Sequence, residues 1–522
     1  MSILEFSTKN RWFFEQIKDE NINSESNLEV KNYFFSLQKE QWNDIKNPEN
    51  AHLMEYHVAE KYVAKWNTFI AKYPNSVLYF SGFQFNFKII CTGWNMPHCH
   101  FHGITFGGGV AFDAVFKGAA LFSAIILSSG SGNAFSEAIF EEEVCFLDIR
   151  FVVAANFDKA LFHKNAYFSK PIFEKSVSFF DLKFKEKVKF QSAHFQESVL
   201  FEIFEKSDEM IFSGGEFLKD VRFHGSNKDG CSISATQASF KDKTWFSGSF
   251  RRIDLRSSEF DKETYFEESF RKKYYDSLGS SEAEEAKKSG MAIFPESINE
   301  VSFARTIFRS IVFFSISFIK LPDFSRAVFQ EVPKIDEELL PKLENKKEIK
   351  TGDENKFRFL KDYFLKQNNH QKEMKYFELE MIAKEKGSYG FKKVLYFLYS
   401  TIGSYGNSMA KPFYFLILSG IIFSFNFVSS IKFFSLSACF SSRIDAVNAL
   451  IVRNSEMIDQ IGTALTISFT RTIFPLVGLD YLTSSKSNFY VSHPFLLVVQ
   501  SIISLVLLFL VGLGIKNEFK IK

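Results

Sequence analysis

The sequence predicts an all-β solenoid, flanked by helical segments and followed by a two-span membrane module. Three observations predict it. Phenylalanine recurs with a period of eleven, the chemistry turns helical on either side of that repeat, and two uncharged apolar runs lie near the C-terminus.

Of 522 residues, 67 are phenylalanine. One series is Phe135, Phe146, Phe157, Phe168, Phe179, Phe190, Phe201, Phe212 and Phe223, every step eleven. A second is Phe140, Phe151, Phe162, Phe173, Phe184 and Phe195; it misses at Lys206 and returns at Phe217. Interleaved, they split the period into five plus six. Two residues before each Phe there is usually a small or β-branched residue, as in Val144, Ala155, Ala160, Ala166, Val177 and Val188. In extended chain, i and i−2 share a face, so each unit points a small residue and a Phe inward and its polar residues outward. With five or six residues between inward rings the chain must turn repeatedly, and short strands joined by regular turns build a solenoid. An eleven-residue period also suits a right-handed helical supercoil. Phe, Val, Ser and Thr are poor helix formers, however, and Gly is scattered through the region as in FGGGVAF and FSGGEF, which favours strands.

The inward pairs Ala155 with Phe157 and Ala160 with Phe162 resemble the A-(D/N)-(L/F)-x-x unit of the pentapeptide-repeat family. The resemblance implies a right-handed quadrilateral β-helix, two eleven-residue units making one coil of 22, with the extra residue widening every second corner. The repeat is readable from Tyr79 through Phe106, Phe116 and Leu121 to Phe270. A polar stretch at 276–290 reads as an excursion loop, bounded at 274–300. The repeat resumes at Phe303, Phe308, Phe313, Phe318, Phe324 and Phe329, closing a β-helix over 79–335.

Residues 1–78 read as a helical N-terminal cap, above all AHLMEYHVAEKYVAKWNTFIAKYP. Trp66, Asn67, Ser81 and Gly82 match the lead-in of pentapeptide-repeat proteins. Residues 336–411 read as a helical C-terminal cap and linker. Phe357, Leu360, Tyr363 and Phe364 share one face of a helix; Met374, Phe377, Glu378 and Met381 mark a second helix, and the two read as a capping hairpin. In 412–522, the runs 413–431 and 495–515 are long enough to span a bilayer. Lys392, Lys393 and Lys411 precede the first and Lys516, Lys520 and Lys522 follow the second, so the solenoid and the C-terminus are expected in the cytoplasm of a bacterial inner membrane. The N-terminus shows no secretory signal. This tail, with YSTIGSYGNSMAKP ahead of the first span, resembles that of membrane-tethered bacterial pentapeptide-repeat proteins.

Net charge is only +2, from 63 basic and 61 acidic residues, which speaks against a nucleic-acid partner. Five cysteines without a C-x-x-C pair read as reduced thiols rather than a disulfide scaffold or zinc ribbon. In PHCHFHG, His98, His100 and His102 alternate and share an outer face, a candidate for Zn²⁺ or Ni²⁺. Neighbours i and i+2 stand about 6.5–7 Å apart on a flat strand, wide for one tetrahedral ion, so a solvated outer face is expected and no metal is assigned. TALTISFTRTIFPLVGLD (463–480) reads as an interfacial amphipathic helix or a re-entrant pore segment; there Arg471 and Pro475 are the pore or interface candidates. The chain holds no G-x-x-x-x-G-K-S/T, G-x-S-x-G or H-E-x-x-H, and no catalytic or cofactor-binding residue or cofactor is assigned. The expected function is a non-enzymatic membrane-anchored scaffold for a protein partner. The alternative is a channel-like, oligomeric two-span pore with the solenoid as sensor. A DNA mimic needs a strongly anionic surface, and the tube does not supply one.

Overall fold

A computed structural model describes residues 24–46, 55–128, 134–203, 208–225, 231–268, 296–335, 337–341, 349–406, 408–429 and 494–519, with isolated positions between 462 and 473. Two units divide at Lys342 and Leu343.

The first unit is a parallel β-solenoid of about ten turns. Its first ladder stacks eleven strands, from Val77–Ser81 to Ser317–Phe318, and its second stacks eleven more, from Gln84–Phe85 to Val328–Phe329. A third ladder of eight runs from Ala155–Asn156 to Lys334–Ile335. A fourth of five runs from Asn95–Met96 to Lys183–Phe184. The register gives the coil length directly. Val144 pairs with Ala166 and Ala166 with Val188, while Phe151 pairs with Phe173 and Phe173 with Phe195, each a step of 22.

This register forces like onto like. Parallel strands sit about 4.8 Å apart, so a Phe every 22 residues must stand on its predecessor. Phe173–Phe195 stack at 4.9 Å and 7°, Phe195–Phe217 at 4.8 Å and 2°, Phe240–Phe260 at 4.4 Å and 4°. Between ladders the rings meet edge-on, as in Phe157–Phe168 at 5.5 Å and 80°. Both arrangements suit the aromatic quadrupole, which disfavours a superposed sandwich. Every Phe of the two series is buried.

The five-residue steps contain the tight corners. The Phe157 carbonyl accepts from the Ala160 amide at 3.1 Å, with Lys159 between them at φ 56°. Left-handed residues recur at Glu137, Asp148, Lys159, Lys170, Asp181 and Ser192, again every eleven. The extra residue of each unit therefore sits in the six-residue step, at the looser corner.

The fourth ladder ends at Phe184. The position 22 further on is Lys206, which lies outside the described residues. Beyond it the described coils use three ladders, and the third-ladder strands lengthen from two residues at Ala155–Asn156 to five at Val199–Ile203, Val221–Gly225 and Thr244–Gly248. Only Ser249 separates the last of these from the first-ladder strand Phe250–Asp254, and the register step falls to 20, Phe240 on Phe260. Glycine makes this corner. Gly248 has φ +86°, and a Cβ there would lie 1.9 Å from the Gly225 carbonyl oxygen.

Three expectations are corrected. Tyr79 and Leu121, read as repeat positions, stand in an outward row, and Phe80 and Phe122 are the inward rings, each stacked on Phe101. Phe313 points outward; Phe314 is the inward ring, stacked on Phe266 at 5.0 Å. The excursion, expected over 274–300, is already back in the solenoid at Ser297–Ser302; residues 269–295 lie outside the described residues.

Helices α1 (Glu25–Lys46) and α2 (Glu55–Ile70) cover the first coil. The open strand edge is closed by side-chain amides. Gln38 donates to the Ile90 carbonyl at 2.7 Å and accepts from its amide at 2.9 Å, as a neighbouring strand would. Asn27 accepts from Val77 N at 2.8 Å and Asn67 from Asn95 N at 2.7 Å, while Trp66 Nε1 donates to the Asn95 carbonyl at 2.7 Å. Trp66 stacks on Trp94 at 4.9 Å. Trp66 and Asn67 thus close an edge that would otherwise present unpaired backbone.

In the second unit, α3 (Glu354–Lys366) and α4 (His370–Lys386) form a helical hairpin. Phe357, Leu360, Tyr363 and Phe364 are buried as expected. Met374, Phe377, Glu378 and Met381 lie on α4, whose buried face is Tyr376, Leu379, Glu380 and Ala383. Glu380 is the unusual member. It is held by Arg358 at 3.0 Å, Lys361 at 3.1 Å and Lys384 at 2.7 Å, so a carboxylate occupies a core position. Three apolar or amphipathic helices follow: α5 (Gly390–Gly403), α6 (Ala410–Ser429) and α7 (Pro494–Phe519). Among the described residues one helical segment, Val498–Asn517, is long and apolar enough to cross a membrane; Ala410–Ser424 is apolar but shorter.

Phe173→Ala is expected to destabilise the solenoid by about 3–5 kcal/mol in denaturant unfolding, against under ~1 kcal/mol for the exposed Phe180→Ala. Gly248→Ala is expected to lose at least ~2 kcal/mol, from the positive φ together with the clash on Gly225. A circular-dichroism melt of each variant checks both.

Candidate functional site

Four features could carry function: the histidine row, the outer faces of the solenoid, the junction before α6, and the apolar helices. His98, His100 and His102 lie on one strand with Cys99 and Phe101 buried between them, as alternation requires. His98 Nδ1 accepts from the Ala119 amide at 3.0 Å. His102 Nδ1 and His100 Nε2 both reach Ser123 Oγ, at 2.9 and 3.4 Å. Among the described residues no group of three His, Cys, Asp or Glu side chains is placed to hold a metal ion.

The expected solvated outer face holds only for His102. The outward row runs Tyr79, His100, Leu121, Cys145, Tyr167 in register. Leu121, Cys145 and Tyr167 belong to a second, buried apolar cluster with Val77 and Ala119. His100 is set into this row, so burial, with a contribution from nearby His102, lowers its pKa to about 4 from the ordinary 6.5. Burial lowers that of His98 too. The described cysteines, Cys91, Cys99, Cys145 and Cys231, are free and buried, and burial raises all four thiol pKa values.

The remaining outer charges pair with one another from coil to coil. Lys159 meets Glu137 at 3.2 Å, Lys187 meets Glu209 at 2.9 Å, His194 meets Glu216 at 2.9 Å, and Lys117–Glu141 and Arg150–Glu174 do likewise. Partners stand 22 to 24 residues apart, one coil, because stacking brings adjacent coils together. A surface neutralised in this way is no strong anion.

One outer row differs. On the third ladder Arg222, Trp245, Tyr265, Phe313 and Lys334 follow in register. Trp245–Tyr265 stack at 5.4 Å and Tyr265–Phe313 at 5.0 Å, all three half-buried. Arg222 lies 4.8 Å from the Trp245 ring and Lys334 lies 5.0 Å from the Phe313 ring, so a cation closes each end. The Phe period could not reveal it, because two of its rings are not phenylalanine and the third breaks the expected register.

Between α5 and α6, Ser404, Tyr405 and Gly406 all have positive φ, at 46°, 57° and 83°. Their contacts hold the kink. The Tyr405 hydroxyl donates to Glu385, Asn517 Nδ2 donates to the Gly406 carbonyl at 2.9 Å, and Lys411 donates to Ser404 Oγ at 2.7 Å. Residues bent into the left-handed region persist only when their surroundings over-determine them.

Inside the apolar helices lies a buried polar seam. Gln500 Nε2 donates to the Ser468 carbonyl at 2.9 Å, Ser468 Oγ at 3.0 Å and Thr472 Oγ1 at 3.1 Å. Ser468 Oγ donates to the Gly420 carbonyl at 2.7 Å. Gly420 permits this approach, since a Cβ there would meet Thr472 Oγ1 at 3.2 Å. Among the described residues, the Gln500 amide oxygen and Ser504 hydroxyl, both buried, have no hydrogen-bond partner. Arg471 and Pro475 lie outside the described residues.

Comparison with protein-family models, with curated proteins and with solved structures returns no match.

His100 gives a pH prediction. Between pH 6.5 and about 4 the unfolded chain binds a proton there that the folded chain refuses, so stability is full above 6.5 and falls as the pH drops through this window. Chemical denaturation at pH 7 and pH 5 should show this loss, roughly 3 kcal/mol at most over the whole window. His100→Gln should flatten the slope.

Proposed function

We propose that this chain is a non-enzymatic, membrane-anchored pentapeptide-repeat scaffold. Its solenoid is a right-handed β-helix, quadrilateral as far as Phe184, held at the cytoplasmic face by a hairpin of α6 and α7, and it offers an outer face to a protein partner. The row Arg222–Trp245–Tyr265–Phe313–Lys334 carries this reading. Trp, Tyr and Arg are the residues that most often dominate protein interfaces, and here they form one half-exposed strip on a surface where many of the charges pair from coil to coil. The interior supports it as well: rings fill the tube, so recognition is left to the outside. The lysines around the apolar helices favour the cytoplasmic orientation.

A second reading has its own support. The Gln500 oxygen and Ser504 hydroxyl, without a partner among the described residues and in an apolar setting, suit a water- or ion-lined path, and hence an oligomeric pore with the solenoid as sensor.

Planar-bilayer recording of the purified protein separates the two. The scaffold predicts a silent bilayer with verified insertion, unchanged by Arg471→Ala or Gln500→Leu. Discrete currents altered by either substitution would establish the pore. For the scaffold, Trp245→Ala with Tyr265→Ala is expected to abolish partner cross-linking in membranes while leaving the melting temperature of the solenoid within a few degrees.

A further inference from the structure

The helix α5 has an unusual position for its composition. Its sequence is GFKKVLYFLYSTIG, and of its fourteen residues only Gly403 is buried. Phe391, Val394, Leu395 and Leu398 fall at i, i+3, i+4 and i+7, one stripe of an α-helix. They are 76, 50, 50 and 44 % exposed, with Phe397 at 57 % on the flank and Tyr389 at 85 % just ahead of the helix. A helix of this length is marginal in water unless an apolar face is covered, and none of the described residues covers the stripe.

Three features identify the cover. Lys392 and Lys393 lie away from the stripe and are exposed, and residues 384–411 hold five lysines against one glutamate, so the surroundings are cationic. Tyr389, Tyr396 and Tyr399 place amphipathic rings on and just ahead of the helix, and Tyr414 another at the start of α6, the residue type that belongs at a headgroup boundary. The helix is also continuous with the apolar one: three left-handed residues and a short link lead straight into α6, whose own start exposes Phe413 and Tyr414 at 54 and 64 %. An apolar stripe backed by lysines and joined to a membrane helix has the form of an interfacial anchor. A protein groove would have to complement the lysines and accommodate the adjoining apolar helix at once.

We propose that α5 lies in the plane of the membrane interface, its Phe391–Val394–Leu395–Leu398 stripe sunk to the acyl boundary and Lys392 and Lys393 among anionic lipid phosphates. The Ser404–Tyr405–Gly406 kink then turns the chain from the interface into α6. The inference deepens the membrane-anchored reading and rests on it.

The test uses the full chain, with Cys439→Ser, reconstituted in vesicles of phosphatidylcholine and phosphatidylglycerol, and single cysteines at Val394→Cys, Leu398→Cys and Lys393→Cys carrying a nitroxide. The described native cysteines are buried, which restricts labelling to the introduced site. Collision with oxygen should exceed collision with a water-soluble nickel chelate several-fold at 394 and 398 and reverse at 393. Omitting phosphatidylglycerol should raise nickel access at 394 and 398. Equal nickel access at all three positions, in protein that resists carbonate extraction, would overturn the inference while leaving the anchor standing. Spin–spin broadening at 394 and 398 would overturn it in favour of a second copy of the chain on this face. Release of the protein by carbonate would overturn both readings.

Discussion

Hydrogen bonding between successive coils is the constraint on which the solenoid depends. Each short strand is too small to pair within its own turn, so its amides and carbonyls find partners only above and below. That fixes the axial repeat at the parallel-strand spacing. Once it is fixed, the side chain at each position must tolerate its own kind directly overhead. Phenylalanine does this better than a bulkier or branched residue, because a flat ring can repeat at this spacing with a small offset and meet the next column edge-on. The same constraint places many of the charges: an outward lysine sees the residue one coil away, as Lys187 and Lys159 do, beside local pairs such as Arg256–Asp254.

Such a stack has two ends, and the N-terminal end shows how one is closed. Gln38 offers an amide where the next strand's backbone would be, and Asn27 and Asn67 repeat the device on other ladders. A side-chain amide has a peptide's donor and acceptor without a peptide's continuation. It satisfies the edge and stops growth at once.

The fold was legible to the extent that it is periodic. The eleven-residue beat gives the coil length, the inward column and the phase of the corners, since one residue type occupies equivalent positions. The miss at Lys206 was legible only as a gap; that the last described strand of the fourth ladder is Lys183–Phe184 needs the register. What escaped reading is aperiodic. Phe313 and Phe314 are adjacent, and composition cannot say which faces in. Glu380 occupies a core position because three cations from two helices converge on it, a tertiary fact without local trace. The histidines were placed on the correct face, but their surroundings were not, because the apolar row around His100 is assembled from residues 20 or more positions apart. The aromatic row on the third ladder was missed for the same reason.

The change from four ladders to three has a consequence beyond packing. A uniform solenoid has translational symmetry, so a ligand that reads several coils finds many equivalent berths and can slip between them. The coil length runs from 21 residues at the first coils through 24 and 22 to 20 at the glycine corner, so that symmetry is broken along the axis. The rod acquires distinct addresses, and the row from Arg222 to Lys334 spans the glycine corner.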